Sequence, residues 1–240
     1  MGDTTYGIAA LTYCSRVMGD AIGQVLSLGV GVAISPLPII AVVLMLSTQR
    51  GRANGPAFIL GWVLGLSVVG AVVLVVSSGA DASESGEPAT WVSVLKLVVG
   101  VLLLLVAARE WRGRPRGDAD AALPGWMRTI DRFTPQRSFA MGVALSAINP
   151  KNLLLTVGAA ASIAHTGIGA GQQAIALAVF VLVGTLGPGL PVAIYFLMGE
   201  RAARILDDLK NRMGHNNAAI MAVICLVIGA KLIGDGISAL

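Results

Sequence analysis

The chain has 240 residues, 55% of them hydrophobic and 12% charged, with a formal net charge of +4. A water-soluble domain carries about 25% charged residues, so an ordinary soluble fold is excluded. The basic excess does not indicate nucleic acid, because the charges fall in short segments between long apolar runs, where they report topology.

A membrane helix needs about 20 mostly apolar residues. Six stretches qualify, near 21–47, 55–78, 91–108, 138–165, 172–198 and 217–240. Residues 1–16 hold no compact apolar stretch behind a basic start, so the first run is expected to stay as a span. Cys14 precedes that run and Cys225 lies in the last, which makes no disulfide framework. The first span carries Ser35-Pro36-Leu37-Pro38 near its middle and is followed by Arg50 and Arg52. Gly61, Gly65 and Gly70 in the second span suit close packing, either within the chain or in a homodimer. The loop at 79–90 holds Asp81, Glu84 and Glu87 and no basic residue, and the third span carries Lys96. Residues 109–137 form a long basic connection, where Trp126 suits either a short interfacial helix or a solvated linker.

The fourth span contains Asn149-Pro150-Lys151-Asn152, and the loop at 166–171 is uncharged. The fifth carries Gly187-Pro188-Gly189 and Pro191, a predicted third interruption, and a basic loop with Arg201, Arg204, Lys210 and Arg212 follows. The positive-inside rule places the basic loops in the cytoplasm and both termini outside. Lys96 and Lys231 fall in the outer parts of the third and sixth spans. They suit a cationic outer vestibule, or snorkelling to the headgroups, which is the stronger expectation.

Two matches in order divide the chain into halves. Ile34-Ser35-Pro36-Leu37-Pro38-Ile39-Ile40 corresponds to Ile148-Asn149-Pro150-Lys151-Asn152-Leu153-Leu154, and 94–100 to 223–229. With three spans per repeat, the halves are inverted, an arrangement in which broken helices bind substrate near the midplane. The expected fold is therefore all-α and polytopic: residues 1–108 as one three-helix repeat, 109–137 as a cytoplasmic loop, and 138–240 as the second repeat.

Proline inside a helix removes a hydrogen bond, and in hydrocarbon the freed backbone groups need protein or water partners. A binding site is expected at Ser35, Pro36, Pro38, Asn149, Pro150, Lys151 and Asn152, with Gly187, Pro188 and Gly189 added from the fifth span. Lys151 is the sharpest candidate, since a lysine at the bilayer centre costs about 2.5–3.5 kcal/mol on insertion scales. No acidic residue shares its depth, so three roles are open: pairing with Asp235, losing its proton to desolvation, or facing an anionic substrate. A purely structural lysine, bonded to carbonyls freed by Pro36 or Pro150, is the plain alternative. Motifs for metal, phosphate or nucleophile chemistry are absent, so no cofactor or enzymatic activity is expected. A Ser35–Lys151 hydrolase dyad is the one hidden exception.

The proline motif of the first span, Asn149-Pro150-Lys151, and Trp91 with Leu95-Lys96-Leu97 and Gly100 resemble the lysine-exporter superfamily. More closely, Ser35–Leu44, Gly61-Trp62-Val63-Leu64-Gly65-Leu66, Phe133-Thr134-Pro135, Ser146–Leu154 and Asn216–Met221 resemble the sulfolipid-1-addressing and glycopeptidolipid-addressing proteins of mycobacteria and related actinobacteria. The resemblance implies a plasma-membrane protein that helps move complex lipids or glycolipids toward the outer envelope, often beside a larger lipid exporter. Leu37 departs from the amino-acid exporters, which place a glycine between the two prolines. Three readings follow: a lipid or glycolipid transporter, an exporter of amino acids or other small solutes, and a non-transporting accessory subunit of a larger exporter.

Overall fold

A computed structural model describes residues 18–19, 21–80, 90–113, 130, 132–199, 202–215 and 217–238. Among these, all regular structure is helical. The first apolar run is two helices, α1 (Ala21–Ala33) and α2 (Pro36–Leu46), bent by 52° at the proline motif. Then come α3 (Gly51–Ala80) and α4 (Thr90–Arg112). The 138–165 stretch is shared among α5 (Pro135–Val143), a π-helical turn (Ala144–Ile148) and α6 (Pro150–His165). The chain ends with α7 (Ala170–Met198), α8 (Ala202–His215) and α9 (Asn217–Ile237).

Four helices are long and apolar enough to cross a membrane, within α3, α4, α7 and α9, and the bent α1–α2 pair makes a fifth. The chain is a multi-pass membrane protein. The 138–165 stretch falls outside that count because Pro150 divides it. At 1.5 Å per residue, the 16 residues of α6 reach only about 24 Å, short of a roughly 30 Å hydrocarbon core. Trp126 and the proposed interfacial helix lie outside the described residues, as do Asp81, Glu84 and Glu87.

The surface is apolar where that of a soluble protein is polar, and several polar side chains lie inside. Val75, Leu182 and Leu197 are 72%, 69% and 85% exposed, while Ser35, Asn54, Lys96, Ser146, Lys151, Asn152 and Thr156 are buried. Such a molecule fits hydrocarbon outside and keeps polar side chains in its interior.

Small residues let the helices approach. A Cβ on Gly61 would overlap the Phe139 carbonyl, one on Gly142 the Phe58 carbonyl, and one on Gly65 the Ser146 hydroxyl, which locks α3 against α5 and the π turn. The glycine stripe of the second span is thus used within the chain. On the other side, α7 crosses α1, with Gly29 facing Val183 and Gly184 facing Val32, each at 3.1 Å for an added Cβ. Helices α4 and α9 run antiparallel, Gly100 meeting Gly229 while Leu97 and the Ser93 carbonyl meet Gly236.

Three expectations are corrected. Helix α7 continues unbroken through Gly187, Pro188, Gly189 and Pro191, so the fifth span carries no third interruption. The predicted loop after it is the helix α8, whose Ala202 and Leu206 are buried while Asp208 and Arg212 pair at 2.9 Å on its exposed side. Lys96 does not snorkel: only 1% of it is exposed, because its side chain turns inward among α4, α6 and α9.

Candidate substrate-binding site at the paired helix breaks

Each break is built by its proline. At the first, Pro36 has no N–H to offer the Val32 carbonyl, and Ser35 before it is held extended, at φ −68° and ψ 111°. The Ser35 N–H therefore turns to the Val32 carbonyl at 3.1 Å. The Gly31 carbonyl, which a continuous helix would have given to that N–H, is released. At the second break, the Asn149 N–H reaches five residues back to the Ala144 carbonyl at 3.1 Å, and Pro150 has none to give. The Leu145 carbonyl is released in turn. Gly31 and Leu145 each stand five residues before the proline of their break.

Both released carbonyls are recovered by side chains of the Asn149–Asn152 motif. Lys151 Nζ donates to the Gly31 carbonyl at 2.7 Å, and Asn152 Nδ2 donates to the Leu145 carbonyl at 2.9 Å. Ser35 joins the two: its hydroxyl accepts from Lys151 Nζ at 2.6 Å and donates to Asn152 Oδ1 at 2.8 Å. The Asn149 side chain caps α6 by accepting from the Lys151 N–H at 3.1 Å. Ser35, Lys151 and Asn152 are 2%, 1% and 0% exposed, so the network is sealed.

The proposed pairing of Lys151 with Asp235 does not occur, since Asp235 accepts from Lys231 at 2.6 Å. Among the described residues no carboxylate pairs with Lys151, and Cys225 of α9 is its neighbour within electrostatic reach. The lysine thus makes the contacts of the structural alternative: it bonds a carbonyl released by Pro36. Parting α1–α2 from α6 would bare an ammonium, a hydroxyl and a carboxamide on one polar face, donors suited to an anionic oxygen.

The other candidate residues take different places. Pro36 and Pro38 are buried at the start of α2, Asn149 is half-buried and Pro150 is exposed beside Ile148. Gly187 lies against the end of α1, where an added Cβ would overlap the Ala33 carbonyl. Pro188 is buried, and Gly189 has nothing nearer than the Thr185 methyl at 3.8 Å. The fifth-span residues therefore sit beside the first break and contribute no polar group to the network. The carbonyls of Gly31 and Leu145 were not anticipated from sequence, although counting back from each proline finds both. Ser35 and Lys151 are in contact as a dyad would require, but the Ser35 hydroxyl hydrogen goes to Asn152 Oδ1, which leaves the lysine as donor rather than base.

Residues 25–238, from α1 to the end of α9, match the model of a family described as Sap, sulfolipid-1-addressing protein. No curated protein and no solved structure matches. A match spanning both breaks and nearly the whole chain makes this protein a member of the sulfolipid-1-addressing protein family.

Proposed function

We propose that this protein is a transporter in the plasma membrane that moves a lipid or glycolipid, an anionic one in particular, toward the outer envelope. The observation that carries the reading is the sealed network in which Lys151 and Asn152 of the second break cap the released carbonyls of both breaks, with Ser35 of the first joining the two side chains. A ligand oxygen that takes over the lysine's bonds would release the breaks from one another, which couples binding to separation of the halves. The headgroup would lie at the breaks while the tails stay in the bilayer. Neither an enzymatic step nor a cofactor belongs to this reading, and a fluorophosphonate probe that labels Ser35 would overturn that part of it.

The reading takes 138–165 as a broken fourth span, which makes six in all, and the halves as inverted repeats. Supporting this, Gly100 and Gly229, matched in sequence, meet reciprocally: an added Cβ on either lies 2.9 Å from the carbonyl of the other. The tight α3–α5 crossing also has its counterpart in α7–α1. The basic loops are taken as cytoplasmic, and a larger lipid exporter or a second copy of the chain remain partners consistent with this scheme. A second reading, export of amino acids or another small solute, is favoured by the enclosed polar lining of the same site.

The deciding experiment compares cells lacking the protein with cells carrying wild type, Lys151→Ala or Lys151→Arg, assaying surface-extractable lipids and released amino acids together. Surface lipid should fall without the protein and with Lys151→Ala, survive in good part with Lys151→Arg, and leave amino-acid release unchanged. Loss of amino-acid release with unaltered surface lipid establishes the small-solute reading instead.

A further inference from the structure

A second polar cluster lies along α6, away from the breaks. Gly158 of α6 packs between Val99 of α4 and Leu232 of α9, with an added Cβ 3.6 and 3.0 Å from their side chains. One helical turn further toward the start of α4 and the ends of α6 and α9 come Lys96, Ser162 and Asp235. The Ser162 hydroxyl is buried without a hydrogen-bond partner, and so is His165 Nδ1, one turn beyond it. Lys96 is 1% exposed. Asp235 and Lys231 are both within its electrostatic reach, but Asp235 is already bound to Lys231 at 2.6 Å. That pair is about one-third exposed, whereas Lys96 and Ser162 are buried.

We propose that this cluster is a second anion site, built to take a sulfate- or phosphate-type headgroup on Lys96, Ser162 and Lys231. Two lysines share one carboxylate here, and a buried ammonium whose counter-charge is already bound to another lysine is costly in a membrane interior. An arriving oxyanion supplies that charge, accepts from the Ser162 hydroxyl and competes with Asp235 for Lys231. The site stands 11 residues beyond Lys151 on α6, about 16 Å at 1.5 Å per residue, and so forms a second station on the same helix. It rests on the transport reading only for the choice of a lipid sulfate as the probe.

The test uses the whole protein in phosphatidylcholine nanodiscs, with native mass spectrometry measuring binding of sulfated galactosylceramide and of uncharged galactosylceramide. Lys96→Met should weaken binding of the sulfated probe about tenfold, the loss expected of one charge-assisted contact. Asp235→Asn should tighten it about three- to tenfold by removing the resident competitor, a gain that a damaged fold would not produce. Displacement of the probe by sodium sulfate would identify free oxyanions as ligands of the site, and failure to displace it would identify the lipid headgroup. Equal binding of the two galactosylceramides overturns the proposal, as does affinity that falls with Lys151→Met but not with Lys96→Met. Loss of the transport reading in cells, with Lys96-dependent binding intact, would leave this site standing.

Discussion

Asn152 acts in two directions at once, accepting from Ser35 and donating to the Leu145 carbonyl, with no exposure to water. Its replacement by Ala leaves the buried Leu145 carbonyl without a donor and the Ser35 hydroxyl hydrogen without an acceptor, so thermal unfolding in detergent should show a loss of about 2–4 kcal/mol. Asn152→Asp keeps the acceptor for Ser35 and loses the donor, and should fall further if the new carboxylate is left ionised without a partner. Ser35 and Lys151 share one bond of 2.6 Å, so Ser35→Ala and Lys151→Ala should not add. A double-mutant cycle should return a coupling of about 0.5–3 kcal/mol. At this scale the sequence singled out Ser35, Lys151 and Asn152, which the structure brings into contact, because Ser, Asn and Lys are rare at mid-span. It was silent on who bonds whom, since that depends on two carbonyls that carry no side-chain signature.

Helix crossings give a sharper contrast between two neighbouring glycines. Gly187→Ala drives a methyl into the Ala33 carbonyl, whereas Gly189→Ala enters open space. The first should cost about 1–3 kcal/mol or more, and the second should stay within about 0.5 kcal/mol of wild type, both read from thermal unfolding. Elements themselves were legible wherever hydropathy alone decides them, as in α3, α4, α7 and α9. Helix α8 was missed because its charges mask an apolar edge at Ala202 and Leu206 that packs on α2. The expected interruption of α7 failed for a different reason: Pro188 and Pro191 remove N–H groups without diverting the chain, which neighbouring helices hold in place. Lys96 was misjudged because hydropathy gives depth along a helix but not direction around it, and α4 is apolar on every side.

The orientation of the whole molecule rests on the distribution of charge between loops, and its two cysteines provide the check. If both termini face outward, an impermeant maleimide should label intact spheroplasts at Cys14, and Cys14→Ser should abolish the signal. Cys225 is fully buried and should stay silent in both. Labelling that requires permeabilised membranes would reverse the orientation of every span. That the chain is helical and crosses the membrane several times was legible because apolar spans are a property of composition and order. The sealing of the site was not, because it depends on how closely the halves approach, and the glycines that permit this carry no partner label.

The capping of the first break by the second also bears on how the chain is made. Lys151 is synthesised 120 residues after the Gly31 carbonyl that it bonds. At roughly 5–20 residues per second, the ribosome takes on the order of ten seconds to cover that interval. Throughout it, the first broken helix enters the membrane with an unfilled backbone acceptor, and it needs water or the insertion machinery to shelter that group. A nascent chain halted between the two motifs would present an unfinished polar wound in hydrocarbon, a natural mark for degradation. Completing the second half closes it.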